Sequence, residues 1–378
     1  MKAVRSELLS AGTLWFGAAV TIAEIAAGCE LRGNWLALVL GHLVGGLLLF
    51  GVGYVGARER TGAMETVRGT FGRGSARFFA LLNMCQLTGW TAVMISQGAA
   101  ALAVLTEVPA GLWCVLLAGL IWGWMWFGLG DGSRVSVLCI ALLALLCAVL
   151  TGRLLLPDAA RPVVAPTGFA DAFELSVAMP LSWLPLISDY TCRARRPVVV
   201  AAVSAGVYAL TSAWMFALGS LIAASGHAGL VEALTQAGPG FSGAGLVVIA
   251  LSTMTSTFLD VTSSGCSAPV VWSRLPPRPV GTAVAVLGCA FAVWGIMDRY
   301  LGFLSLIASV FAPMATVLLV DRLRARRGGF RGNAVAWLAG VVAYHAAVAW
   351  NSCPSLTAVV VSALATFLFG GMAARPRR

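Results

Sequence analysis

Long apolar runs dominate the chain, and short segments with charged residues, proline or glycine separate them. Each run holds about 20 residues, the length that an α-helix needs to cross the hydrocarbon core of a membrane. The pattern predicts twelve spanning helices, over residues 8–29, 34–56, 75–105, 109–129, 133–152, 169–190, 197–224, 241–262, 279–297, 300–321, 333–350 and 354–372. The third run is the longest, and we expect it to tilt or to extend beyond the membrane.

The distribution of Lys and Arg along the chain predicts its orientation. With the N-terminus inside, 21 of the 25 Lys and Arg residues fall in cytoplasmic segments and 4 fall outside. Positive charge concentrates on the cytoplasmic side of membrane proteins. The pattern therefore predicts a multi-pass protein of the cytoplasmic membrane with both termini in the cytoplasm.

Composition favours the same class of protein. Of the 378 residues, 59% are apolar and 11% are charged, and mean hydropathy is +0.90, whereas soluble proteins carry about 25% charged residues. The net charge of +10 fits basic loops, so we predict a lipid bilayer and no nucleic acid as partner. The nine cysteines form no Cys-x-x-Cys pair and no phosphate-binding glycine motif occurs. We therefore predict no disulfide, no cofactor and no metal apart from a coupling ion. We also expect the chain to be monomeric.

Small residues interrupt the first predicted span, and prolines interrupt the sixth. The first span contains Gly17, Ala18 and Thr21 close together, and the sixth contains Pro180 and Pro185. Proline removes a backbone donor and clashes with the preceding turn. Transporters built from inverted repeats have broken helices at these places, where freed backbone groups bind ions and substrate. The alternative is a pair of kinked helices with no role in transport.

The interval of five spans between the interruptions predicts a particular architecture. It is an all-α, LeuT-like fold with two inverted repeats of five spans, at residues 1–152 and 153–325, and two further helices at 326–378. We expect the first and sixth spans to be discontinuous near residues 17–22 and 179–185, and to pack together near the middle of the bilayer.

Two carboxylates lie inside predicted spans, away from any cation in the sequence. They are Glu24, just after the interruption of the first span, and Asp260, late in the eighth. A charged group at the bilayer centre costs several kcal/mol, so it is a functional candidate. The alternative is an interfacial carboxylate at a helix end. Asp189 lies beside several arginines, and we expect it to form a salt bridge or gate at the end of the sixth span.

Hydroxyl groups crowd the eighth span. Ser252, Thr255 and Ser256 are spaced i, i+3 and i+4, so they share one helical face. This oxygen-rich face, together with carbonyls from a broken helix, suits a cation such as Na⁺. The alternative is that each hydroxyl bonds the carbonyl one turn back in its own helix.

The third span carries a stripe of aromatic and amide side chains. Gln86, Trp90, Met94 and Gln97 fall on one side of the helix. Trp90 could stack on a flat heteroaromatic ring, and the amides could bind the polar edge of that ring. Trp183, between the two prolines of the sixth span, is a second candidate platform. The alternative is tryptophan packing and amide bonds between helices.

Four motifs in these spans resemble the nucleobase:cation symporter-1 family, and in particular its CytX-type permeases for hydroxymethylpyrimidine or cytosine. The motifs are LWFGAAVTIAE at 14–24, QLTGWTAVM at 86–94, MPLSWLPLISDYT at 179–191 and TSTFLD at 255–260. The resemblance follows the spans in order along the whole chain. It implies a LeuT-like inverted repeat, a pyrimidine or purine substrate, and cotransport with Na⁺ or H⁺.

The resemblance also implies roles for individual residues. The break from Ala18 to Thr21 supplies carbonyls to the cation, Thr255 and Ser256 add hydroxyls, and Trp90 stacks on the base. Beside these, we predict Ser252 as a further cation ligand.

The remaining candidates, Glu24, Gln86, Met94, Trp183 and Asp260, are predicted to bind the substrate. A carboxylate suits an exocyclic amine, because a charge-assisted hydrogen bond is about twice as strong as a neutral one.

The sequence thus predicts a secondary transporter that imports a pyrimidine, either hydroxymethylpyrimidine or cytosine, by cation symport. The alternative substrate is a purine or another small nitrogenous solute. A membrane-embedded enzyme is not predicted, because the sequence shows no catalytic or metal motif. A passive channel or structural protein is disfavoured by the buried carboxylates beside broken helices.

Overall fold

The protein is helical throughout the residues that the computed structural model describes, 2–127, 134–156, 165–324 and 329–369. The first half contains α1 (Lys2–Ala19), α2 (Ile22–Cys29), α3 (Trp35–Glu59), α4 (Ala63–Thr106), α5 (Ala110–Phe127) and α6 (Arg134–Leu155). The second half contains α7 (Phe169–Ser182), α8 (Ile187–Thr191), α9 (Pro197–Ala224), α10 (Leu230–Thr235), α11 (Pro239–Val271), α12 (Pro277–Trp294) and α13 (Tyr300–Leu323), with a short 3₁₀ helix (Ile296–Arg299) before α13. The chain continues with α14 (Phe330–Ala349) and α15 (Pro354–Phe369).

Most of these helices can span a membrane. Nine of the described helices are long and apolar enough, and the bent pair α1–α2 makes a tenth. The predicted sixth span corresponds to the broken pair α7–α8, and the predicted twelfth span to α15, which has 16 residues. The all-α polytopic class is therefore confirmed, and the count of twelve spans stays a prediction.

The outer face of α3 shows what surrounds the protein. Leu36, Val39, Leu43 and Leu47 follow one another at helical spacing and are 54% to 63% exposed. Contiguous apolar surface of this kind costs about 25 cal/mol per Å² in water. A lipid environment removes that cost, and the opposite face of α3 packs against α7 and α9.

The first predicted discontinuity is confirmed between α1 and α2. Val20 and Thr21 lie outside both helices, and the helix axes bend by 50°. Thr21 is the N-cap of α2, and its hydroxyl accepts a hydrogen bond of 3.3 Å from the Glu24 backbone N–H. The cap satisfies one of the amides that the broken helix exposes.

The second predicted discontinuity is also confirmed, between α7 and α8. Pro180 lies in the last turn of α7, and Pro185 lies in the four-residue break, where it cannot continue a helix. The two breaks are neighbours, since the rings of Trp15 and Trp183 meet edge to face with centroids 5.3 Å apart.

Close backbone contact joins α2 to α9. A Cβ atom at Gly219 would lie 2.1 Å from the Ile25 carbonyl oxygen, and one at Gly28 would lie 2.4 Å from the Phe216 carbonyl oxygen. Only glycine fits at these two positions, so α9 fixes α2 tightly beside the break.

The third span is longer than its apolar run. The run predicts a start at residue 75, whereas α4 begins at Ala63 and bends at Gly72, which has φ +87°. Asp189 of α8 explains the early start, because its Oδ1 accepts a 2.7 Å hydrogen bond from the Ala63 N–H. Asp189 therefore caps α4, and its role as a salt bridge or gate stays a prediction.

Candidate functional site

A cavity lies where the two helix breaks meet α4, α9 and α11. It gathers all six residues predicted to bind substrate and three of the five predicted to bind the cation. The lining residues are Ala18, Thr21, Glu24, Gln86, Leu87, Trp90, Met94, Met179, Ser182, Trp183, Leu186, Tyr208, Ser256, Leu259 and Asp260. Residues from both predicted repeats thus meet at one site.

Glu24 lines this cavity with its carboxyl group already engaged. It is 2% exposed. The Tyr208 hydroxyl donates to Oε1 at 2.7 Å, and the Ser212 hydroxyl lies 2.7 Å from Oε2. Both partners are on α9, one helical turn apart, so α9 holds the carboxyl group in a fixed orientation.

Asp260 lines the same cavity in a different environment. It is 8% exposed, and its carboxyl group makes no hydrogen bond or ion pair with any described residue. A buried carboxylate without partners is costly. Asp260 is therefore an acceptor available to a ligand.

Gln86 offers a second available acceptor. Its Nε2 donates to the Asn83 Oδ1 and to the Ser182 carbonyl, each at 2.9 Å. Because the carbonyl can only accept, the amide orientation is fixed. Its Oε1 is buried and has no partner among the described residues. The bond to Ser182 also supports the carbonyl at the end of α7.

Aromatic rings flank these acceptors. The Trp90 ring is held edge to face by Phe303 at 5.3 Å and by Tyr300 at 6.3 Å between centroids. The Trp183 ring is held in the same way by Trp15 and Tyr208. Met94 completes this apolar side of the lining and is 6% exposed. The platforms are rigid, so a flat ring could be bound at little entropic cost.

The predicted cation ligands are only partly brought together. Ala18, Thr21 and Ser256 line the cavity, whereas Ser252 and Thr255 do not. Thr255 and Ser256 donate to the Ser252 carbonyl, at 2.8 and 3.3 Å. This is the bonding within one helix that the sequence left open as an alternative, although each hydroxyl oxygen retains a lone pair. The cation site stays a prediction.

Gln97, the last member of the α4 stripe, lies away from this cavity. It lines a second cavity with residues of α2 and α10, and both its amide atoms are buried without a partner among the described residues. The stripe therefore connects two cavities rather than lining one.

Sequence reasoning missed the partners of Glu24. Tyr208 and Ser212 lie in an apolar span 184 and 188 residues further along the chain, and His42 of α3 lies 2.8 Å from the Ser212 hydroxyl. The one available signal was two polar residues at i and i+4 in α9, which is the spacing of one helix face. The described residues hold no group of three or more His, Cys, Asp or Glu that could bind a metal.

The cavity therefore combines aromatic rings with unpaired acceptors among the described residues, a chemistry that suits a small planar ligand with hydrogen-bond donors. Sequence comparison identifies relatives among known transport proteins. No family model matches the chain. The chain is 24% identical to the cytosine permease of Escherichia coli (strain K12) over 328 residues, covering 84% of this chain and 76% of the relative. A cytosine permease from Escherichia coli O157:H7 is 23% identical over the same length.

Solved structures share the fold. An inward-facing structure of Mhp1 gives a TM-score of 0.78 at 15% identity, over 94% of this chain and 88% of that chain. Mhp1 in a closed conformation with bromovinylhydantoin bound gives 0.74 at 18% identity, over 97% and 94%. A Na⁺-coupled sialic acid symporter gives 0.67 at 15% identity, over 97% and 90%.

The class follows from the fold: this is a multi-pass membrane protein with the architecture of LeuT-like transporters, as the helix breaks predict. The resemblance to the nucleobase:cation symporter-1 family is confirmed, because the sequence relatives are cytosine permeases and Mhp1 is a transporter of that family. These relatives are transporters rather than enzymes.

Proposed function

We propose that this protein imports an aminopyrimidine, either cytosine or hydroxymethylpyrimidine, across the cell membrane by cation symport. One observation carries the proposal. Between two broken helices, the cavity combines two tryptophan rings with two acceptors that have no partner among the described residues, Gln86 Oε1 and the Asp260 carboxyl group. The similarity to cytosine permeases supports it.

The two acceptors determine which polar groups the substrate must present. An amide oxygen and a carboxylate both need donors. An aminopyrimidine presents an exocyclic amine, whereas uracil presents a carbonyl oxygen at the corresponding position. A carboxylate next to that carbonyl would leave two acceptors facing each other in a buried site, which costs about 1–3 kcal/mol per unpaired group.

The ring of the substrate would lie between the aromatic platforms. Trp90 of α4 and Trp183 of the second break line the cavity from different helices. Aromatic pairs add about 0.5–1.5 kcal/mol beyond the burial of area. Stacking on an aromatic side chain tolerates different bases, so in this proposal the acceptors contribute most to the choice of base.

The coupling ion in this proposal is Na⁺ or H⁺. For Na⁺, the carbonyls between Ala18 and Thr21 and the Ser256 hydroxyl would supply oxygen ligands on one side of the cavity. Ser252 and Thr255 would join them after a movement of α11 toward α2. We further propose that both termini lie in the cytoplasm, because 21 of 25 Lys and Arg residues fall in segments on that side. We also propose that the protein is a monomer.

Uptake by the purified protein in liposomes tests the proposal. Cytosine, hydroxymethylpyrimidine, thiamine, uracil and adenine are each supplied with a Na⁺ gradient, with a pH gradient, or with neither. We expect accumulation of an aminopyrimidine with one gradient only. Accumulation of adenine alone would favour the purine alternative, and absence of all uptake and exchange would refute the proposal.

A further inference from the structure

A line of buried polar groups runs from α3 through α9 to α2. The His42 Nδ1 lies 2.9 Å from the Leu38 carbonyl oxygen, and its Nε2 lies 2.8 Å from the Ser212 hydroxyl. That hydroxyl lies 2.7 Å from the Glu24 Oε2, and Tyr208 donates to Oε1. His42, Ser212 and Glu24, here called the relay, are each at most 3% exposed.

The number of hydrogens in the relay follows from its geometry. A carbonyl only accepts, so the His42 Nδ1 carries a hydrogen. Two gaps remain, from Nε2 to the Ser212 oxygen and from that oxygen to Oε2, and each needs one hydrogen. Ser212 supplies one of the two. The other is a dissociable proton, held either by Nε2, which makes His42 a cation, or by Glu24, which makes it a neutral carboxylic acid.

The neutral arrangement avoids two separated charges in a buried site, each of which costs several kcal/mol. In that arrangement Glu24 donates from Oε2 to Ser212, Ser212 donates to Nε2, and Nδ1–H donates to Leu38. Every donor and acceptor then has a partner. Without the proton, one of the two gaps must bring lone pairs together at less than 3 Å.

We propose that the relay holds one exchangeable proton, which rests on Glu24, and that it is the proton-coupling site of the transporter. The coupling part rests on the proposed function, whereas the proton itself does not. Transfer conserves hydrogens: Oε2–H breaks as Ser212 receives that proton, and the Ser212 hydrogen moves to Nε2. The reverse transfer returns the proton to Glu24, which lines the cavity, and a water molecule that enters the cavity takes it from there as hydronium and leaves Glu24 as a carboxylate.

The neighbouring helices place few charges near the relay. Among the described residues, Tyr208 and Ser212 are the hydrogen-bond partners of the Glu24 carboxyl group, and the Tyr300 hydroxyl of α13 donates to the adjacent Ala23 carbonyl at 2.9 Å. Asp260 of α11 shares the cavity. The acidic groups on α7, α8 and α10 have partners elsewhere or lie at exposed ends: Asp171, Glu174, Asp189 and Glu232. No Lys or Arg of the described residues pairs with Glu24.

The position of the relay suits coupling. Glu24 belongs to the cavity and to α2, directly after the first break, whereas His42 and Ser212 belong to α3 and α9. Loss of the proton therefore removes one of the two hydrogen bonds that link α2 to α3 through Ser212 of α9. Substrate in the cavity and proton in the relay act on the same helix.

Ser212→Ala tests the coupling, with Ser204→Ala as the matched control. Ser204 is buried in the same helix and its hydroxyl has no partner among the described residues. In liposomes with the membrane potential clamped to zero, a gradient of one pH unit should concentrate cytosine about tenfold if one proton accompanies each neutral substrate. We expect this for the native protein and Ser204→Ala. Ser212→Ala should not accumulate cytosine but should still exchange labelled for unlabelled cytosine at equal pH.

Accumulation by Ser212→Ala at the native level, or accumulation by the native protein with Na⁺ and no pH dependence, would overturn the coupling role.

If the native protein neither accumulates nor exchanges any nucleobase, the proposed function fails instead, and infrared spectroscopy still decides the relay. We expect an infrared band of a protonated carboxyl group that disappears as the pH rises between about 5 and 8 and that is absent in Glu24→Gln. The midpoint of this titration should shift in Ser212→Ala and in His42→Gln, but not in Ser204→Ala. Absence of such a band would refute the relay.

Discussion

Glu24 and Asp260 are two buried carboxylates that line one cavity, yet their surroundings are opposite. Glu24 is hydrogen bonded at both oxygens by α9, and Asp260 has no partner among the described residues. Burial marks both residues as functional candidates, but the hydrogen bonds separate their roles. A carboxyl group that the protein satisfies is fixed in place, whereas one that it leaves unsatisfied is available to a ligand.

The difference arises from the helices that carry them. α2 is short, begins at a capped break and packs closely on α9, so Glu24 faces hydroxyls of α9 at fixed distance. α11 is a continuous helix that packs chiefly on α4 and α12. Asp260 lines the cavity from this helix and has no hydrogen bond to a described residue.

Substitution of Asp260 should give the largest loss of substrate affinity. Asp260→Asn replaces a carboxyl oxygen that accepts from the substrate amine, and the loss of a partner for a buried polar group costs about 1–3 kcal/mol. We expect cytosine affinity to fall about tenfold to a hundredfold, measured by equilibrium binding. The melting temperature without ligand should stay the same or rise, because Asp260 has no hydrogen bond to a described residue that the change could remove. A stability loss with unchanged affinity would reverse the comparison.

Substitution of Glu24 should affect stability first. Glu24→Leu leaves the Tyr208 hydroxyl without its acceptor, at about 1–3 kcal/mol, and leaves Ser212 with His42 alone, so the melting temperature should fall. Glu24→Gln places an amide donor toward Ser212 and an acceptor toward Tyr208, so it should fold normally.

The sequence alone predicts a large loss of aminopyrimidine affinity for Glu24→Gln. Because both oxygens are engaged with α9, we expect a loss smaller than that of Asp260→Asn. Equal losses in the two variants would show that both carboxylates bind the amine directly.

Substitution of Trp90 should have the smallest effect of the three. Trp90→Ala removes one ring platform, and we expect affinity to fall by about 0.5–1.5 kcal/mol, with Trp90→Phe losing less. Trp122→Ala is the control, since Trp122 is 43% exposed on the outer surface and should leave affinity unchanged. A similar loss in the control would indicate a global effect rather than stacking.

The sequence predicted the elements that depend on local chemistry. Hydropathy located the spans, and proline and small residues located both breaks, because these act on the backbone of their own helix. It did not predict the start of α4, which depends on a cap from Asp189 of α8. Nor did it predict the bonding of Glu24, which depends on a helix almost 190 residues away.

The predicted cation face shows the same limit within one helix. The spacing of Ser252, Thr255 and Ser256 fixes which side of α11 they share, but not how that side turns relative to the break in span one. Only Ser256 reaches the cavity. Helix rotation is set by packing against α4 and α12, which periodicity does not reveal.

The most direct test of the account is the equilibrium binding of cytosine and uracil to the native protein and to Asp260→Asn. The two bases have similar size and stacking, and they differ in the group that would face Asp260. We predict that the native protein prefers cytosine by about tenfold or more and that Asp260→Asn loses this preference. An unchanged preference in Asp260→Asn, or equal binding of both bases by the native protein, would contradict the role of Asp260 in choosing the base.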